Sequence, residues 1–363
     1  MLVAALVGAP FPTVAIGGGD SARARTAAVE ASRTQTLALD APLAYIAADG
    51  PRVAFIARST PSDCQHVAVW TPGTKSLRRF GLPAPCDNQD AIGPLALAGT
   101  RVAWLWTSGS GTYMETNVVT ATLARPAPPW LYTADASARR GTNVGTFARR
   151  PVGQRTLLAF TVEQSCDSDS HAFPDEACPP GRETGDIVAA TLFRLGGPGP
   201  CPFSPRTRPP ACTTVAKANS TLTVLAVDAG RIAVRTETGL RVFTARGDIQ
   251  RDFAVKPSAV ALSGRRLAVR TLAAIQVYDV DSGALAIRFD VPSAIRLEDL
   301  EGDILVTASG RTVTLERLGD RRKITIRASG TAHARLERLG LFVAGARRLT
   351  FIPMHDVRRR FGG

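Results

Sequence analysis

Leu225-Ala226-Val227-Asp228-Ala229-Gly230-Arg231-Ile232-Ala233-Val234-Arg235-Thr236 is echoed about 35 residues later by Val260-Ala261-Leu262-Ser263-Gly264-Arg265-Arg266-Leu267-Ala268-Val269-Arg270-Thr271. The first copy continues into Gly239-Leu240-Arg241-Val242-Phe243 and Arg251-Asp252-Phe253. The second continues into Ile275-Gln276-Val277-Tyr278-Asp279 and Ile287-Arg288-Phe289. Each copy reads as an apolar strand, a Gly turn, a second strand and two further strands. Gly suits such a turn because tight hairpins need positive φ, which a residue with a Cβ resists. A four-stranded antiparallel unit repeated at this period predicts a β-propeller blade.

The same turn signal runs through the chain. Gly50 precedes Arg52-Val53-Ala54-Phe55-Ile56, Gly99 precedes Arg101-Val102-Ala103-Trp104, and Gly153 precedes Thr156-Leu157-Leu158. Gly230, Gly264, Gly302 and Gly340 complete seven. With Val53, Val102, Leu157, Ile232, Leu267, Ile304 and Leu341 as equivalents, the spacings are 49, 55, 75, 35, 37 and 37. The first three are lengthened by insertions. The 75-residue gap has room for an eighth blade, but Gly185 to Phe193 and Thr213 to Ala216 read as strands three and four of blade three. The rest of that gap is Pro, Gly, Cys and Asp, which is loop chemistry.

Val69-Trp70-Thr71, Val242-Phe243-Thr244 and Val277-Tyr278-Asp279 align as third strands, with an aromatic placed to pack between blades. The run Ile275-Gln276-Val277-Tyr278-Asp279-Val280-Asp281-Ser282-Gly283 resembles the third strand and following turn of WD40 and quinoprotein-type propellers. The resemblance extends over most of Ala41 to Phe361, without a Trp-Asp pair, and is therefore WD40-like. The expected fold is all-β, a seven-bladed propeller of four-stranded antiparallel blades. Thr34 to Asp40 alternates as a strand but precedes blade one, and blade seven runs short of chain. That segment is therefore expected to supply the fourth strand of blade seven and close the ring, which removes exposed sheet edges. The tail around Val357 competes for the role.

Residues 1–16 are apolar, and too short and Pro-broken to span a membrane. They read as the hydrophobic part of a signal peptide, with Ala22-Arg23-Ala24 as a small-x-small cleavage pattern. The expected organisation is a signal peptide over 1–24, a linker over 25–33 and one propeller over 34–363. Ala22 to Arg33 carries the only helical periodicity.

The six cysteines, Cys64, Cys86, Cys166, Cys178, Cys201 and Cys212, lie close in sequence by twos and never at Cys-x-x-Cys spacing. That argues for disulfides rather than zinc. Three local bridges are expected, Cys64–Cys86, Cys166–Cys178 and Cys201–Cys212; Cys166–Cys212 with Cys178–Cys201 is the nested alternative. Disulfides imply an oxidising compartment, in agreement with an exported protein.

Net charge is +13, and lysine occurs only at 75, 217, 256 and 323, so arginine supplies 40 of the 44 cations. Attraction to polyanions is one reading. A bacterial coding preference for arginine over lysine is the plainer one, because the arginines are spread over all blades and no nucleic-acid-binding module is visible. The acidic loop from Cys166 to Cys178 is the one polar concentration. Asp167, Asp169, His171 and Asp175, with Glu176 beside them, could hold a cation, since alternating carboxylate oxygens suit calcium, although the EF-hand pattern fails. Its plain reading is a solvated loop, and no cofactor is expected. His66, His171, His333 and His355 read as structural. Trp104 and Trp106 share a strand face and read as inter-blade packing. Trp130, after Pro-rich 125–129, is the candidate exposed aromatic. Glu298, Asp299 and Glu301 read as facing water.

No catalytic motif appears. The reading that follows is a secreted or cell-envelope, non-catalytic monomer that binds a protein or cell-wall partner through its loop-rich face. The alternatives are a propeller enzyme, an oxidoreductase or a polysaccharide-active protein with a central-funnel site, and arginine-mediated polyanion binding.

Overall fold

The second strands of the blades are apolar without interruption, and the structure shows why. Val53-Ala54-Phe55-Ile56, Ile232-Ala233-Val234, Leu267-Ala268-Val269 and Leu341-Phe342-Val343 are all buried. Each blade presses both faces against neighbours, so these strands have no solvent side to make polar. Outer strands alternate instead, as in Lys323–Arg327. The computed structural model describes residues 33–39, 43, 45–57, 66–74, 76–80, 91–110, 113–124, 130–136, 146–165, 183, 186–195 and 212–362.

The described strands form seven antiparallel sheets, one per blade. Blades 1 to 7 span 45–80, 91–136, 146–218, 223–253, 259–290, 296–327 and 333–353. The innermost strands touch one another in blade order, and that of blade 7 touches that of blade 1, so the ring is closed around an axis. Apolar clusters fill each interface between blades. The third-strand aromatics work as expected: Trp70, Phe243 and Tyr278 each pack against the preceding blade, and Tyr278 lies 5.0 Å from Phe253 of blade 4.

The fourth strand of blade 7 is Gln35–Ala38, paired antiparallel from Gln35↔Phe351 to Ala38↔Arg348. The N-terminal segment thus closes the ring. The tail forms helix α1 (Met354–Arg360), which buries Val357, with Phe361 beyond it, against blades 6 and 7. Sequence periodicity did not signal this helix of about two turns. Blade 3 takes Ile187–Leu195 and Cys212–Ala218 as strands three and four, and blade 4 follows at Thr223. Thr146–Ala148 and Val152–Gln154 both pair with Leu157–Ser165, so the inner strand of this blade is broken in two.

Two of the seven repeat glycines lie within strands and not in the turn that the repeat predicts. In blade 3 the turn is made by Arg155, which takes the left-handed φ of 56° itself, while Gly153 lies within the inner strand. A Cβ on Gly153 would stand 2.9 Å from the Leu97 carbonyl oxygen of blade 2, so glycine here allows two inner strands to approach. Gly340 likewise begins the second strand of blade 7, where a Cβ would meet the Ile352 carbonyl at 2.4 Å. No helix among the described residues is long and apolar enough to cross a membrane.

Candidate functional site

The axis has two ends, built differently. At one end each inner strand turns back into its second strand. The residue that closes the inner strand is Asp49 in blade 1, Asp228 in blade 4, Ser263 in blade 5, Glu301 in blade 6 and Glu337 in blade 7. These side chains reach across to the next blade's turn. Glu337 accepts from Gly50 N–H at 3.1 Å. Asp49 accepts from Gly99 N–H and, at 2.6 Å, from Arg155 N–H. Asp228 accepts from Gly264 N–H at 2.5 Å, and Ser263 Oγ from Gly302 N–H at 2.9 Å.

An arginine three residues further on holds the carbonyl of the same glycine. Arg52 donates to Gly99 O at 3.0 Å, Arg231 to Gly264 O at 2.6 Å and Arg266 to Gly302 O at 2.9 Å. Each of these turns is therefore gripped through both its N–H and its C=O by the preceding blade. The pattern Asp49-x-x-Arg52, Asp228-x-x-Arg231, Ser263-x-x-Arg266 was visible in the sequence as part of the repeat. Its partner one blade away was not. Part of the arginine excess is thereby explained as inter-blade clamping.

Between the two ends the channel narrows to a cavity of about 120 Å³ bordered by Gln154, Asp299, Arg335 and Glu337. Burial, then the nearby charge of Asp299, pushes the Glu337 carboxyl up to about 8. Burial also raises Asp299, to about 6, against the opposing pull of Arg335 and two N–H donors; these are Leu300 and Leu336, both at 2.8 Å. Glu298 differs. Burial alone would raise it, but His333, Arg335 and Arg296 outweigh that and hold it below the usual range. The expectation that Glu298, Asp299 and Glu301 face water is thus corrected. Glu298 and Glu301 side chains are only 5% and 12% exposed, because the inner strand of blade 6 turns them toward the axis and its turn end.

The other end of the axis opens as a mouth of about 250 Å³ to which all seven inner strands contribute. Four of those strands are irregular at this level. Register shifts at Gly93-Pro94 in blade 2, Leu225 in blade 4 and Glu298 in blade 6 join the break at Arg149–Pro151 in blade 3. A bulge re-aims the side chain it frees. Pro94, Arg150, Leu225 and Glu298 all line the mouth, together with Tyr45 and Arg335. Arg335 donates to the carbonyls of Glu298 and Ala334 at 2.5 and 2.9 Å and stands 3.6 Å from the Glu298 carboxylate.

Most residues singled out in the sequence lie elsewhere. Cys64, Cys86, Cys166, Cys178, Cys201, Asp167, Asp169, His171 and Asp175 fall outside the described residues. Cys212 is buried at the start of its strand. Trp130 begins the outer strand of blade 2 opposite Thr120. His66 is buried on the third strand of blade 1, His333 faces Glu298 at 3.5 Å, and His355 sits on α1 beside Asp356. Among the described residues no three His, Cys, Asp or Glu converge as metal ligands. Trp104 and Trp106 pack between blades 1 and 2.

No family model matches the chain, and no curated protein does. Among solved structures, a chain from the crystal structure of a mitotic checkpoint complex superposes with a TM-score of 0.52 at 13% identity, covering 97% of this chain and 98% of that one. The fold is a seven-bladed, WD40-like β-propeller. Saccharomyces cerevisiae Sqt1 (TM-score 0.44, 11% identity, 88% and 98% covered) and KlHsv2 with loop 6CD replaced by a Gly-Ser linker (0.48, 12%, 84% and 89%) are further matches. At these identities the likeness describes the propeller and not its ligand.

Proposed function

We propose that this propeller is an extracytoplasmic, non-catalytic binding protein that takes a protein or cell-wall partner on the face where the axial mouth opens. The observation that carries the reading is the asymmetry of the connections. In antiparallel blades the first strand starts, the second ends, the third starts and the fourth ends on one face. On that face blades 4 to 7 use short links, such as 236–239, 271–273 and 310–311. Blades 1 to 3 use 58–65, 81–90, 137–145 and 166–186 there. Long loops on a rigid scaffold are where binding residues concentrate.

Export rests on the apolar stretch 1–16 and on the cysteines. Residues 1–24 are read as the signal peptide, 25–33 as a linker and 34–363 as the propeller. Three local disulfides would tie down loops of blades 1 and 3. The strand that ends at Ser165 and the strand that begins at Cys212 do so at opposite ends of blade 3, about seven residues or roughly 23 Å apart along the sheet. That span favours Cys201–Cys212 over a bridge from Cys212 to Cys166, since bridged Cα atoms lie within about 7 Å.

The charged lining of the mouth is what favours the alternative of a propeller enzyme. Against it, Glu298 is held ionised by several donors, which suits a structural carboxylate better than a general acid. The test of the leading reading is crosslinking in the native cell envelope, with the wild type and with a variant whose 166–186 connection is replaced by a short Gly-Ser link. A partner recovered by the wild type and lost by the variant supports it; the same partner recovered equally by both, or none by either, overturns it.

A further inference from the structure

We propose that the axial mouth is a binding site for a small oxyanion, a carboxylate or phosphate group, received by the guanidinium of Arg150. The site is built by the breaks in the inner strands. In blade 3 the ladder to Leu157–Ser165 stops at Ala148 and resumes at Val152. Pro151 has no N–H to donate, so the sequence Arg149-Arg150-Pro151 encodes the interruption. Its two arginines part company there. Arg149 pairs with the buried Glu163 at 2.6 Å. Arg150 lines the mouth.

Two other arginines near the axis are compensated. Arg155 faces Asp228 at 3.3 Å, and Arg335 faces Glu298 at 3.6 Å. Arg150 has no carboxylate within 4 Å among the described residues; its one bond is a long one, 3.5 Å, to the bulged Leu225 carbonyl. Burial, then the charges of Arg335 and Arg235, lower its affinity for its own proton. A guanidinium stays charged in proteins regardless, so the mouth carries uncompensated positive potential, and concave low-dielectric walls focus it. Among the described residues most of Arg150's donor fork is left without an acceptor, in the planar geometry that matches a carboxylate or phosphate. Tyr45 lines the same mouth.

The opposite end of the axis shows the contrast. The shallow depression there, about 890 Å³, is also lined by arginines, but each has a partner. Arg265 pairs with Asp279, Arg338 with Glu301 and Arg155 with Asp228, and Arg266 holds Gly302 O. Size sets the ligand class. A mouth of about 250 Å³ holds roughly eight waters at about 30 Å³ each, enough for a small anion and too little for a folded segment.

The test is isothermal titration of the full chain at low ionic strength, with inorganic phosphate and, separately, with succinate. One saturable site per chain is expected. Arg150→Ala should weaken it by roughly ten- to a hundredfold, the loss of charge-assisted hydrogen bonds. Arg150→Lys should restore only part, since a point charge replaces a fork. Arg265→Ala, on the other face, should change nothing. Whichever anion binds more tightly identifies the source as phosphate or carboxylate. Arg150→Ala should keep the wild-type denaturation midpoint, because the side chain makes one long bond. Absence of saturable binding to the wild type, or equal binding by Arg150→Ala, overturns the proposal. So does binding of an acidic peptide through Arg150 when neither small anion binds, which would point to a macromolecular partner.

Discussion

Replacing Asp228 with alanine tests whether the inter-blade clamps hold the ring. Asp228 is fully buried. Its Oδ2 accepts from Gly264 N–H at 2.5 Å. Its Oδ1 stands 3.3 Å from the Arg155 guanidinium as an ion pair without hydrogen-bond alignment. Alanine strands the Gly264 N–H, which costs about 1–3 kcal/mol when buried. It also leaves Arg155 without its counter-charge. A fully buried pair broken in this way costs about 3–5 kcal/mol. Arg155 is 35% exposed, so water recovers much of that, and a total of about 3–4 kcal/mol is expected. Asp228→Asn keeps an acceptor for Gly264 and loses only the ion pair, for about 1–2 kcal/mol. The control is Asp252→Ala. Asp252 is 59% exposed in its pair with Arg241, and its loss should stay within about 0.5 kcal/mol. Equilibrium urea denaturation of the three variants measures the order. If Asp228→Ala falls within the range of Asp252→Ala, the clamps do not contribute to stability and the argument fails.

Glu337 titrates at about 8, above its ordinary 4.5, so between those values the folded chain binds the extra proton and stability should fall as pH rises. Glu337→Gln should therefore lose less stability than the wild type from about pH 5 to about pH 8; parallel denaturation curves would refute the shift. Removing residues 33–39 takes away the closing strand and the packing of Leu37 and Leu39 against blades 1 and 7. At about 1.5–3 kcal/mol for each apolar side chain fully buried, and less for these partly buried ones, a clear fall in melting temperature is expected, and an unchanged one would show that closure is dispensable. Gly340→Ala drives a Cβ to 2.4 Å from the Ile352 carbonyl and should cost about 3 kcal/mol. Gly50→Ala meets open space at a φ of 58° and should cost only about 1–2 kcal/mol, so similar losses in the two would contradict the distinction between close approach and turn.

What the sequence by itself determined is what repeats locally. A Gly turn between two apolar strands is set by neighbouring residues, so blade number, strand order within blades and the third-strand aromatics were all legible. Thr34 to Asp40 could be assigned to blade 7 because an unpaired strand and an incomplete sheet imply one another. Glycines whose reason is a close contact do not follow the turn pattern: Gly153 answers to Leu97 of blade 2, and Gly340 to Ile352 on the adjacent strand of its own blade. Helix α1 carried no legible signal, being seven residues long with no side-chain cap. Only the tertiary structure decided which residues of each inner strand face the axis. That placement turns Glu298, Asp299 and Glu301 from apparent surface acids into channel groups, converts Asp228 and Arg231 into a clamp on a glycine of the next blade, and sets Arg150 beside Arg335 across the mouth. Ring closure brings together residues as far apart as Gly50 and Glu337, and no local pattern of alternation or spacing records which of them will face one another.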